Sequence, residues 1–223
     1  MKKFILLVLI SSFCGFGKMF AQGEISAGMS LFVGKNGNYG LELIPIPTKV
    51  SLGFGDNTNL ELGYSLYYMS GMNVKELPFE MDSSPFNPFF SHNFSLGLEQ
   101  EIKMSGWRID IEGGVFWALN NNSGIDKGNM DRALRSWLNT APDLYSYEYE
   151  TETIKGFYGG VKIIVDISSS MGIYISGRYI EGRGGMSLSA QSESIEERSF
   201  EFDDQYVDYT GIDFSVGVVL YGK

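Results

Sequence analysis

Residues 93–119 read NFSLGLEQEIKMSGWRIDIEGGVFWAL, two stretches of alternating apolar and polar residues around the turn sequence MSG at 104–106. In the first stretch Phe94 and Leu96 alternate with small residues. In the second, the charged alternating positions are Arg108, Asp110 and Glu112. Successive side chains of a strand point to opposite faces, so a period of two is typical of a strand with one apolar face. The segment therefore predicts two antiparallel strands joined by a tight turn.

The same alternation recurs in six further segments, at residues 24–33, 39–55, 60–69, 156–167, 172–180 and 211–221. Together with the first two, these segments predict eight strands. In the segment 39–55 the apolar phase shifts across Pro45 and Pro47, which predicts a bulge or a break there. A chain of 223 residues with 28 Gly and only 6 Pro fits one large all-β domain with many tight turns.

The connections between the predicted strands alternate in length. Residues 56–59, 104–106 and 168–171 are short and rich in turn-forming residues, whereas residues 70–92, 120–155 and 181–208 are long. Short turns at one end and long loops at the other are typical of outer-membrane barrels. We therefore expect residues 22–223 to form an eight-stranded antiparallel up-and-down transmembrane β-barrel with short periplasmic turns and longer extracellular loops.

The first 21 residues have the layout of a secretory signal peptide. Lys2 and Lys3 precede an apolar run at 4–10, and a small residue, Ala21, offers a cleavage position. The apolar run is far shorter than the roughly 20 residues that a membrane-spanning helix needs. Cys14 follows a bulky Phe13, unlike a lipid-attachment cysteine, and is interpreted as part of the leader. The chain is therefore expected to be exported to the outer membrane.

Composition excludes several classes of function. Acidic residues outnumber basic ones by 27 to 17, so there is no basic surface to neutralise nucleic-acid phosphates. One cysteine is too few for a disulfide scaffold or a cysteine zinc site, and a single histidine argues against a metal centre built on imidazoles. We expect no metal and no cofactor.

The polar faces of the predicted strands carry both charge signs. These positions are Glu61, Glu99, Glu101, Arg108, Asp110, Glu112, Lys162, Asp166, Arg178 and Asp213. In a membrane barrel this face points inward, and an eight-stranded lumen is narrow enough to be filled by side chains, so an ion-pair network is expected there. In a soluble lipocalin-like carrier of an apolar ligand the same face points to water. Aromatic residues on the apolar face near strand ends, Tyr64, Tyr68, Trp117 and Tyr179, favour the membrane barrel.

With this pattern, and with the C-terminal stretch DFSVGVVLY at 213–221, the chain resembles the small outer-membrane β-barrel proteins of the OmpA/OmpX/OmpW-like family. Ser215, Gly217 and Leu220 match the family's closing pattern, although this chain ends Tyr221-Gly222-Lys223 rather than on an aromatic residue. The resemblance implies contact with outer-membrane lipid and recognition of the last strand by the barrel assembly machinery. It implies no single function, because this fold serves binding, structural, enzymatic and secretion roles.

The sequence offers little for catalysis. His92 is the sole histidine, and outer-membrane lipid hydrolases of similar architecture place a serine two residues after such a histidine, where this chain has Phe94. Carboxylate pairs such as Glu99/Glu101 are interpreted as lumen ion pairs rather than acid–base groups. We therefore expect a protein that is not an enzyme.

The longest loop contains a helical pattern at residues 126–139. An apolar stripe of Met130, Leu134, Trp137 and Leu138 follows helical spacing, and Tyr145, Tyr147 and Tyr149 then alternate as in a strand. These seven residues are a candidate loop interaction surface for an extracellular or envelope partner. The alternative is a helix that rests on the rim of the barrel. The expected function is therefore structural or binding, with membership of a secretion or envelope-assembly system as the alternative.

Overall fold

The computed structural model describes residues 23–35, 37–42, 47–53, 56–121, 124–139, 144–194 and 198–222. The expected signal peptide, with Cys14, and the phase break at Pro45 lie outside the described residues. Twelve strands and one helix follow along the chain. They are β1 Gly23–Gly34, β2 Tyr39–Glu42, β3 Pro47–Gly53, β4 Thr58–Met69, β5 Asn73–Lys75, β6 Phe89–Met104, β7 Trp107–Asn121, α1 Lys127–Leu138, β8 Tyr145–Thr151, β9 Ile154–Ser168, β10 Met171–Ser192, β11 Ser199–Asp208 and β12 Gly211–Tyr221.

The sheet is antiparallel, and its strands form a closed ring. The ring order is β12, β1, β2 with β3, β4, β6, β7, β9 and β10, and β10 pairs again with β12. Because β2 and β3 occupy one position, the ring has eight positions. The first and last strands pair along their whole length, from Glu24 opposite Tyr221 to Gly34 opposite Gly211. The expected up-and-down antiparallel topology is confirmed.

The two ends of the ring differ. The short connections that contain residues 56–57, 105–106 and 169–170 lie at one end with both ends of the described chain, here called the turn end. The long connections lie at the opposite end, here called the loop end. The alternation of short and long connections read from the sequence is thus present.

Strand β10 is longer than the sequence pattern indicates. The pattern predicts an end near residue 180, but the strand continues to Ser192. Its last part leaves the ring and pairs with β8 on one side and β11 on the other, and β11 also pairs with β5. Four strands therefore form a sheet that projects from the loop end, so the chain has more strands than the eight expected.

Helix α1 has clear boundaries. The Asp126 carboxylate accepts a hydrogen bond from the backbone N–H of Asn129 at 3.1 Å, and Asn139 adopts a left-handed conformation that ends the helix. Met130 and Leu134 are fully buried on one side. With the projecting sheet and residues 76–88, α1 forms a compact structure over the ring, here called the cap. No helix in the described ranges is long and apolar enough to cross a bilayer.

Candidate functional site: outer wall, lumen and cap

The outer wall of the ring is apolar. Large hydrophobic side chains point away from the lumen, as with Leu98, Val165 and Ile175, which are 56%, 54% and 57% exposed. Glu99, which follows Leu98, is buried, and so is Arg178, which precedes the 49% exposed Tyr179. The apolar faces of the strands therefore lie outside and the charged faces inside. This arrangement is the opposite of that in a soluble barrel.

Aromatic residues lie near both ends of this apolar wall. Trp107 is exposed at the turn end, whereas Tyr68, Trp117 and Tyr179 are exposed toward the loop end. Trp107 and Trp117 lie on the same strand. Ten residues at about 3.3 Å each, with a strand tilt of about 40°, correspond to a height of ~25 Å. This height matches the apolar band of membrane barrels.

The middle of the lumen is crossed by Arg178. Its Nη2 atom lies 2.7 Å from Glu61 Oε1 on β4, and its Nε atom donates to Glu112 on β7. The guanidinium also lies over the Tyr158 ring, 4.8 Å from its centre, and the Tyr158 hydroxyl donates to Glu61 at 3.2 Å. Side chains from four strands are thus joined by one cation.

Lys162 is the centre of a second group of ion pairs, which lies closer to the turn end. Its ammonium group donates to Glu99 and lies 3.4 Å from Asp110 Oδ2. All three side chains are completely buried. The Asp110 contact is an ion pair without hydrogen-bond geometry, since neither carboxylate oxygen has a hydrogen-bond partner among the described residues.

Arg108 lies in the lumen near the turn end. It forms a two-pronged contact with Glu24, lies 3.3 Å from Glu101 and lies 3.2 Å from Asp110. Asn59 also donates to Glu101 at 2.7 Å. Glu24 was not among the predicted lumen residues, although its inward direction follows from its position two residues before the small inward-facing Ser26.

Asp166 does not belong to the lumen network, contrary to expectation. It is exposed at the turn end, beside the turn at 169–170, and accepts a hydrogen bond from the Tyr221 hydroxyl. By its position in the alternation, Asp166 lies on the inner face of β9. At this residue, however, the strand extends beyond the end of the lumen. The inward position before it is occupied by the buried, apolar Ile164.

The loop-end half of the lumen holds a group of aromatic side chains that the sequence analysis did not predict. Phe32 stacks on Tyr209 with ring centres 4.8 Å apart, and Phe116 lies 5.6 Å from the same ring. The Tyr67 hydroxyl donates to Asp213 at 3.0 Å. The sequence pattern does predict that Phe116 faces inward, because it lies four residues after the inward-facing Glu112. We call Phe32, Tyr67, Phe116 and Tyr209 the aromatic layer.

Glycines on the inward face make room for tyrosines. A Cβ atom on Gly97 would lie 2.2 Å from the Tyr158 hydroxyl, and one on Gly28 would lie 2.4 Å from the Tyr174 hydroxyl. Both distances are far below van der Waals contact. Small residues on β1 and β6 therefore let large side chains from other strands fill the lumen.

Three lumen carboxylates, Glu61, Glu99 and Glu112, have oxygen atoms within 4.8 Å of one another, a spacing that a metal ion could bridge. Arg178 contacts Glu61 and Glu112, and Lys162 contacts Glu99. These cations balance the carboxylates directly. The geometry therefore defines an ion-pair network rather than a metal centre.

The expected loop interaction surface is largely a core. Met130, Leu134 and Tyr145 are fully buried, so they hold the cap together and are not available to a partner. Tyr147 donates a hydrogen bond to Asp131 of α1 at 2.7 Å, and Tyr149 packs on Phe86 with ring centres 5.5 Å apart. Leu138 is partly buried against the same cluster.

Among the predicted surface residues, Trp137 remains substantially exposed, at 42%, although it also contacts Phe79, Phe200 and Phe202. One apolar cluster runs from the cap core into the aromatic layer. Of the two interpretations of the helical pattern, the helix that rests over the rim fits this packing better.

His92 lies on the outward face of β6. Its Nδ1 atom is 3.0 Å from the Tyr64 hydroxyl, and Tyr64 packs on Phe94 with ring centres 5.2 Å apart. Tyr64 itself is only partly exposed, so it contributes less to the outer wall than Tyr68. The position where a serine nucleophile would stand is thus part of an aromatic cluster.

The closed antiparallel ring with an apolar exterior and a charged interior defines the fold of an outer-membrane β-barrel protein. The outer membrane protein OprG from Pseudomonas aeruginosa has a similar structure, with a TM-score of 0.60 and 10% sequence identity over 90% of this chain and 95% of that chain. A major outer membrane protein from Thermus thermophilus aligns with a TM-score of 0.46 and 11% identity, over 89% of this chain and 98% of that chain. No protein-family model and no curated protein sequence matches the chain.

Proposed function

We propose that this protein is an eight-stranded β-barrel of the bacterial outer membrane, with a filled polar lumen and a structural or binding role carried by its extracellular side. The observation that carries the proposal is the division of the strands into an exposed apolar face and a buried charged face. An aqueous location would leave the wall of exposed hydrophobic side chains in water, far beyond the patch size that soluble proteins tolerate.

The turn end is assigned to the periplasm and the loop end to the outside, as in membrane barrels generally. The N-terminal 21 residues would direct export and be removed. Strand β12 would be the element that the barrel assembly machinery recognises, and lipid would cover the wall. A lipocalin-like carrier fits poorly, because the lumen holds ion pairs instead of an apolar ligand cavity.

The packing of side chains in the lumen argues against a wide channel. Arg178, Lys162 and Arg108 each bridge carboxylates from different strands, and the aromatic layer and the cap cover the loop end. We therefore assign the proposed binding function to the outer surface of the cap. There the exposed Glu148 on β8 and Glu201 on β11 lie directly opposite the half-buried Ser189 on β10 in the strand register. An extracellular or envelope protein would be the partner, and a secretion or envelope-assembly system remains the alternative setting.

No enzymatic role and no cofactor is proposed. A hydrolase would require a nucleophile beside His92, and the neighbouring outward residue is Phe94. Replacing His92 with Ala is expected to leave any lipid hydrolysis by the purified protein unchanged. A loss of hydrolysis specific to that variant would contradict the proposal.

The first experiment is to express the chain with its leader, fractionate the envelope and run the outer-membrane fraction with and without boiling. A folded membrane barrel is expected to change its gel mobility on boiling. Recovery in the soluble periplasmic fraction, without detergent, would overturn the location. In planar bilayers the purified protein is expected to give no steady large currents, and such currents would contradict the filled lumen.

A further inference from the structure

A small cavity lies inside the lumen, between Arg178 and the aromatic layer. Its volume, measured as the space open to the centres of water molecules, is about 40 Å³. Polar side chains from many strands line it, including Glu42, Lys49, Asp213 and several serines. We call this cavity the chamber.

Lys49 differs from the other lumen cations described above in its lack of an ion pair among the described residues. Its side chain is almost completely buried, and its Nζ atom has no hydrogen-bond partner among the described residues. Arg108, Lys162 and Arg178 each lie within ion-pair distance of at least one carboxylate. No such contact is made by Lys49 within the described ranges. A buried ammonium without partners is strongly unfavourable.

Opposite charge faces the same chamber. Glu42 and Asp213 are each 3% exposed, and no described protein atom forms a hydrogen bond with Glu42 Oε1. Asp213 accepts a hydrogen bond from Tyr67. Within the described residues, a donor and an acceptor that each lack a hydrogen-bond partner thus line the same cavity.

The chemistry of the lining restricts the ligand. An anion would pair with Lys49 but would be repelled by Glu42 and Asp213. A metal cation would pair with the two carboxylates but would be repelled by Lys49. A water molecule both donates and accepts, and it typically makes about three hydrogen bonds when buried. One buried water needs roughly 10–15 Å³ by this measure, so the chamber holds about three.

We propose that the chamber is a binding site for a cluster of about three water molecules, which bridge Lys49 to Glu42 and Asp213. The cluster completes the charge network of the lumen, since it gives Lys49 its partners. The aromatic layer covers the chamber on the loop side and the Arg178 pairs cover it on the turn side. The cluster is therefore enclosed within a lumen that is otherwise filled. This inference holds whether or not the extracellular surface binds a partner.

The direct test is a crystal structure of the full barrel in detergent at a resolution that shows ordered solvent. Solvent peaks are expected about 2.7–3.2 Å from Lys49 Nζ and from Glu42 Oε1. A direct Lys49–Glu42 or Lys49–Asp213 contact without solvent between the two groups would overturn the proposal. Crystals soaked in bromide and in rubidium test for ions, and an anomalous peak in the chamber from either would also overturn it.

A second measurement covers the case in which crystals do not form. Ser95 lines the chamber, and Ser95→Leu would displace the waters. The variant is expected to lower the temperature of the boiling-dependent gel shift. The decrease in this temperature is expected to be smaller in a Lys49→Met background, because a methionine side chain needs no bridging water. The matched control background is Lys103→Met, at the exposed turn end. An equal loss in the Lys49→Met and Lys103→Met backgrounds would contradict the proposal.

Discussion

Arg178 on β10 and Glu61 on β4 form an ion pair of 2.7 Å although their strands lie on opposite sides of the ring. Four steps separate these strands in either direction around the eight positions. The pair therefore spans the full width of the lumen. It ties together walls that no backbone hydrogen bond connects.

Arg178→Met is expected to destabilise the barrel strongly. The change leaves Glu61 and Glu112 buried without their cation, and breaking a buried pair in this way costs about 3–5 kcal/mol. The measurement is the temperature or denaturant concentration at which the boiling-dependent gel shift occurs. The control is Lys127→Met, which removes an exposed pair with Glu193 at 3.4 Å and is expected to cost about 0–1 kcal/mol. Similar effects of the two changes would contradict the assigned lumen network.

Ile111→Arg tests the lipid-facing wall. Ile111 is 51% exposed and lies near the middle of the apolar band, where an arginine costs about 2–4 kcal/mol in a membrane barrel. Folding into lipid vesicles is expected to be impaired, whereas Glu148→Arg on the exposed cap surface is expected to fold normally. An Ile111→Arg protein that is as stable as the original chain would indicate that water, not lipid, faces this wall.

Leu134→Ala is expected to loosen the cap while the ring stays intact. Leu134 is completely buried, and truncation of such a side chain costs about 2–5 kcal/mol. Protease added to intact cells is expected to cleave the variant in the cap faster, with an unchanged boiling-dependent shift. Arg132→Ala on the exposed face of α1 is the control. Loss of the shift in Leu134→Ala would mean that cap and ring unfold as one unit.

Alkaline pH is expected to open the cap through Tyr147. Burial and the hydrogen bond to Asp131 raise the pKa of the Tyr147 hydroxyl well above its ordinary value. In the unfolded cap this group loses its proton near pH 10, which favours the open form. Cap stability, followed by protease sensitivity, should therefore fall as pH rises above about 10. Tyr147→Phe should show a weaker dependence, and an identical dependence would rule out this cause.

The strand faces and the helix were predictable because both depend on local periodicity. The pattern at 126–139 matches α1 with its caps at Asp126 and Asn139, and the inward charges alternate as expected from Glu61 to Asp213. Asp166 was misplaced because periodicity gives the face of a residue and not the point where the lumen ends.

Other features depend on contacts between distant parts of the chain. Lys49 and Glu42 were missed because the prolines between them disturb the phase of the pattern. The cap core joins Phe79, Leu134 and Tyr145, which come from three segments with no common repeat. Met130 and Leu134, which the helical pattern assigns to a candidate interaction surface, are therefore buried through contacts that local periodicity does not reveal.

The pairing of β1 with β12 has a consequence for biogenesis. The contact between Glu24 and Tyr221 spans almost the whole chain, so the ring cannot close until the last strand has been made. Contacts of such sequence separation form slowly because a long loop must first be ordered. A nascent chain that is stopped before residue 211 would carry two open strand edges, which are sites for aggregation. The loss of this single strand would thus leave a chain that cannot close its ring.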